Sequence, residues 1–177
     1  MPTVRTAHTA DLDAETLAAA HTLLDDVFAG EFAEEDWEHA LGGIHALVYA
    51  GDELVGHASL VQRRIVHGGR ALRAGYVEGV GVSAAHRRRG HGAAMMDALE
   101  RVIRGAYDLG ALGATDDGAA LYTGRGGLRW QGPTSTLTPD GIRRTREEDG
   151  FIYVLPGDTP LDLTGDLTCD WRDGDVW

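Results

Sequence analysis

The segment from Tyr76 to Leu109 constrains this chain more than any other. Tyr76-Val77-Glu78-Gly79-Val80-Gly81-Val82 alternates in the manner of a strand. Ser83-Ala84-Ala85-His86 leads into a loop, Arg87-Arg88-Arg89-Gly90-His91-Gly92. Met95, Met96, Leu99, Val102, Ile103 and Ala106 then recur at helical spacing. A strand, a glycine loop and a helix in this order can hold a pyrophosphate. The first N–H groups of the helix lack intrahelical acceptors, and the helix dipole is positive at that end. Gly90 and Gly92 carry no Cβ, so phosphates can approach the backbone. Arg87, Arg88 and Arg89 can add charge-assisted contacts. A solvated Arg cluster at a helix start is the alternative for the loop taken alone.

Two common phosphate loops are excluded. A dinucleotide site needs G-x-G-x-x-G inside a longer βαβ unit. A Walker loop needs Lys, and this chain contains none: all sixteen basic residues are Arg. Asn is also absent. Both amino acids have A-rich codons, so part of the Arg excess reflects a GC-rich coding sequence. Arg87, Gly90 and Gly92 do fit R-x-x-G-x-G. This resembles the acyl-coenzyme A signature of the GCN5-related N-acetyltransferase (GNAT) family, which implies acetyl-coenzyme A as co-substrate on Arg87 to Gly92, His91 included.

The remaining periodicities define a single α/β domain over residues 1–177, a length sufficient for its own core. Val4 to His8 reads as a strand. Asp11 or Asp13 caps a helix to about Phe28, and a short acidic helix covers Glu34 to Leu41 before Gly42-Gly43. Ile44–Ala50, Leu54–Val66 and Leu72–Val82 read as three strands joined by turns at Gly51-Asp52 and His67-Gly68-Gly69-Arg70. The long helix is expected from His91 to Leu109 with Gly110 as its C-cap, then a strand at Ala111–Ala114. Asp116 or Asp117 is expected to cap a helix near Ala119 to Gly124, and Leu128–Leu137 and Phe151–Leu155 form the last strands. The order βααβββαβαββ is that of the GNAT fold, a mixed, mostly antiparallel sheet flanked by helices. The resemblance implies that the strand ending at Val82 splays from the strand at Ala111–Ala114. The backbone of Val80, Gly81 and Val82 would then pair with the pantetheine arm, a cofactor standing in for a strand.

The net charge of −12 argues against nucleic-acid binding, which needs a basic face, and suits a cationic ligand. Simple solubility also accounts for an acidic surface. The acids cluster between Asp25 and Glu38 and again in the last twenty residues. That tail also carries Leu161, Leu163, Leu167, Trp171, Val176 and Trp177, so it is expected to dock rather than to be disordered. One cysteine, Cys169, excludes an internal disulfide, and the first residues show no signal-peptide core. No run is long enough for a membrane helix. Together these give the expectation of a cytoplasmic protein.

Transfer of an acyl group to an amine requires loss of the amine's proton, donors for the developing oxyanion, and an acid for the departing thiolate. Tyr122 is the candidate acid: it precedes Gly126 by four residues, as the GNAT pattern has it, although Gly127 stands where that pattern has Phe or Trp. Glu78 is the candidate base, on the strand that would face the cofactor. The eight His are scattered, with no companion ligands for a metal site. The serines lack a nucleophile-elbow context, and Cys169 lacks a partner for nucleophilic chemistry.

A narrower resemblance runs almost end to end. Asp36 to Gly43, Gly75 to Val80, Arg104 to Tyr107, Gly132 to Ser135 and Cys169 to Trp177 are similar to the aminoglycoside 2′-N-acetyltransferases. It implies that acidic groups and a terminal carboxylate hold a cationic drug. The matching positions are Glu31, Asp36, Glu78, Gly79, Gly113, Glu148, Asp175 and Trp177; group members often have Asp at the first and sixth of these, and Ser at Gly113. It also implies a homodimer, no metal, and no nucleic-acid or membrane partner. The alternatives are the same chemistry on a cellular amine or amino-sugar metabolite, and a module that binds acyl-coenzyme A without turnover.

Overall fold

The computed structural model describes residues 3–177, the side chain at position 117 excepted. The chain falls into two compact units. The first comprises the chain through Val61 together with Val77–Val102, and the second comprises Gln62–Tyr76 and Ile103–Trp177.

In the first unit, β1 (Val4–His8) pairs antiparallel with β2 (Ile44–Ala50), which pairs antiparallel with β3 (Glu53–His67). The hairpin register sets Leu47 opposite His57 and His45 opposite Ser59. Helix α1 (Ala14–Val27) starts where Asp13 Oδ1 accepts from Thr16 N–H at 2.7 Å, an N-cap that satisfies one orphan donor. Helix α2 (Glu34–His39) follows. Ala20 and Leu24 of α1 join Trp37 and Ala40 in a buried apolar cluster. The strand β4 (Arg70–Val82) presents Gly79 and Gly81 to α1: a Cβ on either would meet Leu24 at 3.1 and 2.9 Å. Helix α3 (His91–Ala106) buries Met95, Met96 and Leu99, and Met95 lies so near β3 that a Cβ on Gly56 would meet its sulfur at 3.3 Å.

In the second unit, β5 (Leu109–Gly113) pairs parallel with β4 and antiparallel with β9 (Ile152–Pro156). Strand β6 (Leu128–Arg129) adds to β9. On the other side, β10 (Leu167–Cys169) pairs antiparallel with β3 and parallel with β7 (Thr134–Thr138), which pairs with β8 (Gly141–Arg144). Helix α4 spans Asp116–Thr123. The tail docks through Leu167, Val176 and Trp177, which are buried, whereas Trp171, expected to share in the docking, is exposed.

Three expectations are corrected. The long helix ends at Ala106, and Gly110 is a strand residue, not a C-cap. Gly is required there by packing: a Cβ would meet Ile103 Cδ1 at 2.9 Å and Leu155 Cβ at 3.0 Å. The N-cap residue of α4 is Thr115, so neither Asp116 nor Asp117 occupies that position. The run from Leu128 to Leu137 is two strands, because Gln131 and Gly132 donate to Leu163 O and leave the ladder.

Candidate functional site

The loop expected to hold a pyrophosphate lies in the first unit, between β4 and α3. Arg87, Arg88, Arg89 and Gly90 are exposed, and His91 and Gly92 are half-buried. Arg88 and Gly90 take left-handed φ values of 57° and 82°, which fold the loop back before the helix. Arg87 Nε donates to Val82 O at 3.1 Å, tying the loop to the strand end. Ala94 N–H closes the first turn onto Gly90 O, so the N–H groups ahead of it have no acceptor in the helix. Nothing lies within 4 Å of the Cβ position of Gly90. An open side, an exposed triad of guanidiniums and a helix N-terminus fit a diphosphate.

The β4–β5 ladder runs from Ala74/Leu109 to Tyr76/Ala111, and β4 continues beyond it through Val82. Val80 and Val82 are half-buried and Gly81 is buried. Glu78, the candidate base, is half-buried on this extension, and its carbonyl accepts from Ser59 Oγ at 3.4 Å. Gly79 has φ 53°, which turns the strand immediately after Glu78. Its carbonyl accepts from His57 Nδ1 at 2.7 Å.

Among the acidic candidates of this unit, Glu31 is exposed. Asp36 acts locally, since its Oδ2 accepts from Ala33 N–H at 2.9 Å and so caps α2.

The second unit holds Tyr122, Gly113, Glu148, Asp175 and Trp177. Tyr122 is buried on α4, and burial pushes its phenol up to about 12, so it stays protonated at neutral pH. The departure at Gly127 has a steric cause. Gly127 N–H donates to Tyr122 O at 2.9 Å, and a Cβ would meet that oxygen at 2.7 Å. Gly113 is different: a Cβ would meet only Tyr76 Oη at 3.7 Å and Ile152 Cδ1 at 3.9 Å, so a larger residue fits.

Glu148 sits in a short turn after β8 that Asp149 and Arg144 hold. Arg144 donates to both oxygens of Asp149 at 3.0 and 2.7 Å, and Asp149 Oδ1 also accepts from Thr134 N–H and Oγ1. Those bonds keep the Asp149 carboxyl well below the usual carboxylate range. Among the described residues, none gives Glu148 such support. Desolvation, then the charges of Asp175 and Glu147, raise its carboxyl to about 7. The tail beside it is fixed. Trp177 Nε1 donates to Thr145 Oγ1 at 2.9 Å, Trp177 N–H donates to Asp175 Oδ1, and Arg172 Nη2 donates to Trp177 O.

Residues that sequence reasoning missed do this holding. Arg63, only 4% exposed, donates to Asp170 Oδ1, Asp170 O and Val176 O, and its guanidinium lies 4.8 Å from the centre of the Tyr76 ring. In the first unit His45 and His57 are fully buried, His45 in the otherwise apolar β2 and His57 between Gly56 and Ala58 in the buried stretch of β3. A polar side chain inside such a run is the signal that could have found them. No group of three or more His, Cys, Asp or Glu side chains among the described residues is placed to hold a metal, and no described helix is long and apolar enough to cross a membrane.

The sequence profile of the acetyltransferase (GNAT) domain matches residues 8–116. An aminoglycoside 2′-N-acetyltransferase of Mycolicibacterium fortuitum is 51% identical over 179 residues, covering 99% of this chain and 92% of that protein. Among solved structures, Escherichia coli ElaA matches with a TM-score of 0.61 at 22% identity, over 88% of this chain and 99% of that one. An acyl-CoA N-acyltransferase from Pseudomonas aeruginosa matches with the same TM-score at 16% identity, over the same shares of the two chains. The two structures agree with the fold, and the profile and the relative establish the lineage: this chain belongs to the GNAT acetyltransferase family, in the group of the aminoglycoside 2′-N-acetyltransferases.

Proposed function

We propose that this protein transfers an acetyl group from acetyl-coenzyme A to the 2′-amine of aminoglycosides, acting as one domain over residues 1–177. The observation that carries the reading is 51% identity across 99% of the chain to an enzyme named for that reaction. The R-x-x-G-x-G loop on an open helix N-terminus supports the co-substrate, and the acidic groups at Glu31, Glu78, Glu148 and Asp175 support a polycationic acceptor. The group resemblance further implies a homodimer working in the cytoplasm.

When bound, acetyl-coenzyme A supplies the thioester whose C–S bond breaks as the C–N bond to the amine forms. Arg87 to Gly92 would hold its diphosphate, and the backbone of Val80, Gly81 and Val82 its pantetheine amides. Glu78 takes the proton from the acceptor ammonium, directly or through water, and passes it to solvent. Tyr122 gives its phenolic proton to the departing sulfur, and the second proton that the nitrogen sheds as the amide forms restores it through solvent; burial keeps the phenolic proton in place beforehand. Glu148 and Asp175 attract the ammonium groups of the acceptor, with Glu31 and Asp36 adding charge and Gly79, Gly113 and Trp177 shaping contacts.

The test is release of free thiol from acetyl-coenzyme A with and without an aminoglycoside. The reading expects release to depend on the drug. Binding of acetyl-coenzyme A without drug-dependent release would favour a non-catalytic module.

A further inference from the structure

A hydrogen-bond chain in the first unit, buried at its two histidines and exposed at its Gly42 end, runs from the β1 end to the bend in β4. Gly42 N–H donates to Thr9 Oγ1 at 2.8 Å, and Thr9 Oγ1 lies 2.7 Å from His45 Nε2. His45 Nδ1 lies 2.9 Å from His57 Nε2, and His57 Nδ1 lies 2.7 Å from Gly79 O. The β2–β3 register makes the two histidines diagonal neighbours, since His45 opposes Ser59 and Leu47 opposes His57. Trp37, from the apolar cluster beside α1, has its ring centre 6.1 Å from that of His57.

The end of the chain fixes every proton in it. A carbonyl oxygen only accepts, so His57 Nδ1 carries hydrogen. Neutral His57 must then accept at Nε2, so His45 donates from Nδ1 and accepts at Nε2. Thr9 therefore donates to His45 while accepting from Gly42. Both histidines stay neutral because burial lowers each to about 4. The chain cannot conduct protons to solvent as a wire does. At the site end it terminates in the Gly79 carbonyl, which has no proton to give and takes none at neutral pH. Its effect is orientation.

We propose that Thr9, His45 and His57 form a one-directional relay that holds the Gly79 carbonyl, with His57 as a positioning residue for the acetyl-transfer site. Gly79 lies between Glu78, the candidate base, and Val80, the first of the candidate pantetheine contacts. Its φ of 53° is a bend that an unconstrained glycine leaves easily. A trans peptide points its C=O and the following N–H in opposite directions within one plane. Drawing the Gly79 carbonyl toward His57 therefore turns the Val80 N–H the other way and fixes where Glu78 leaves the strand. The inference rests on the acetyltransferase reading for its catalytic consequence, and on the hydrogen-bond geometry for the relay itself.

Two measurements on the whole protein test it. Nitrogen-15 NMR of the imidazoles reports the tautomers, and the relay requires Nδ1–H on both His45 and His57 at pH 7. An Nε2–H tautomer on His57 overturns the relay whatever the enzyme does. Kinetics then use two substitutions that separate the two ring nitrogens. Asn carries its N–H donor at the δ position and Gln at the ε position. His57→Asn can still donate to Gly79 O, and His57→Gln cannot. The expected result is that His57→Gln lowers kcat by about tenfold or more, while His57→Asn stays within about threefold of wild type and neither shifts the aminoglycoside KM by more than about threefold. Equal losses in both variants, or losses that follow melting temperature alone, assign His57 a packing role and overturn the proposal. Wild-type turnover with an aminoglycoside is measured first, and its absence counts against the reaction while leaving the tautomer result to decide the relay.

Discussion

Asp175 Oδ1 accepts a hydrogen bond from the backbone N–H of Trp177 at 3.1 Å, which ties an acidic side chain to the buried indole that anchors the tail. The carboxylate is itself exposed, so it stays available to a cation while its position is set. Asp175→Asn keeps the accepting oxygen and removes the charge. We expect it to raise the aminoglycoside KM about tenfold and leave acetyl-coenzyme A affinity unchanged. Added salt should raise KM in the parent more steeply than in the variant, because screening acts on the charge that the variant lacks. Steady-state kinetics across a salt series, with equal slopes for the two proteins, would place the cation site elsewhere.

The loop assignment is tested at Gly92, in the first turn of α3. Gly92→Asp adds a side chain where phosphate would approach and a like charge beside it. The dissociation constant for acetyl-coenzyme A should rise at least about tenfold, or about 1.4 kcal/mol. Calorimetric titration of a folded variant that binds as the parent does would remove the diphosphate from this loop.

Tyr122 makes a sharper case, because its burial keeps the phenol protonated but also suits a ring that merely packs. Loss of a general acid in Tyr122→Phe should lower kcat by about 100-fold, with both substrate affinities near those of the parent. Survival of kcat within about threefold would assign Tyr122 to packing.

Glu148 provides the pH dependence. Its carboxyl is raised to about 7, above its unfolded value of 4.5, so it binds a proton in the fold that the unfolded chain has released. Its contribution to stability is therefore present below pH 4.5 and lost as pH rises through 7. Glu148→Gln should raise the melting temperature at about pH 8 and leave it unchanged at about pH 4. The same ionisation should strengthen drug binding in the parent between about pH 6 and 8, and the Gln variant should lack that gain. Parallel pH profiles for the two proteins would contradict the assignment.

Much of the fold is legible in the sequence where local period and local chemistry agree. Asp13 caps α1 through its own side chain, and the glycine turns at Gly51 and Gly68 bracket β3 as expected. Legibility fails where distant partners decide. Gly110 reads as a helix stop, yet Ile103 and Leu155 make it a strand glycine. Strand β8 shows no alternation because all four residues are exposed, and β10 exists through pairing with β3 and β7, far away in sequence. The site divides in the same way. The Arg–Gly loop is read from consecutive residues. The second role of the Asp36 carboxylate, capping α2, shows only in the fold, and His45 and His57 gain meaning only from the hairpin register that joins them.

The central claim is that acetyl transfer falls on one defined amine. Mass spectrometry of the aminoglycoside product should show a single added acetyl group, formed in step with free thiol, and NMR should locate it on the 2′-nitrogen. An acetyl group on a different amine or on a hydroxyl, or thiol release that proceeds equally without the drug, would contradict the account.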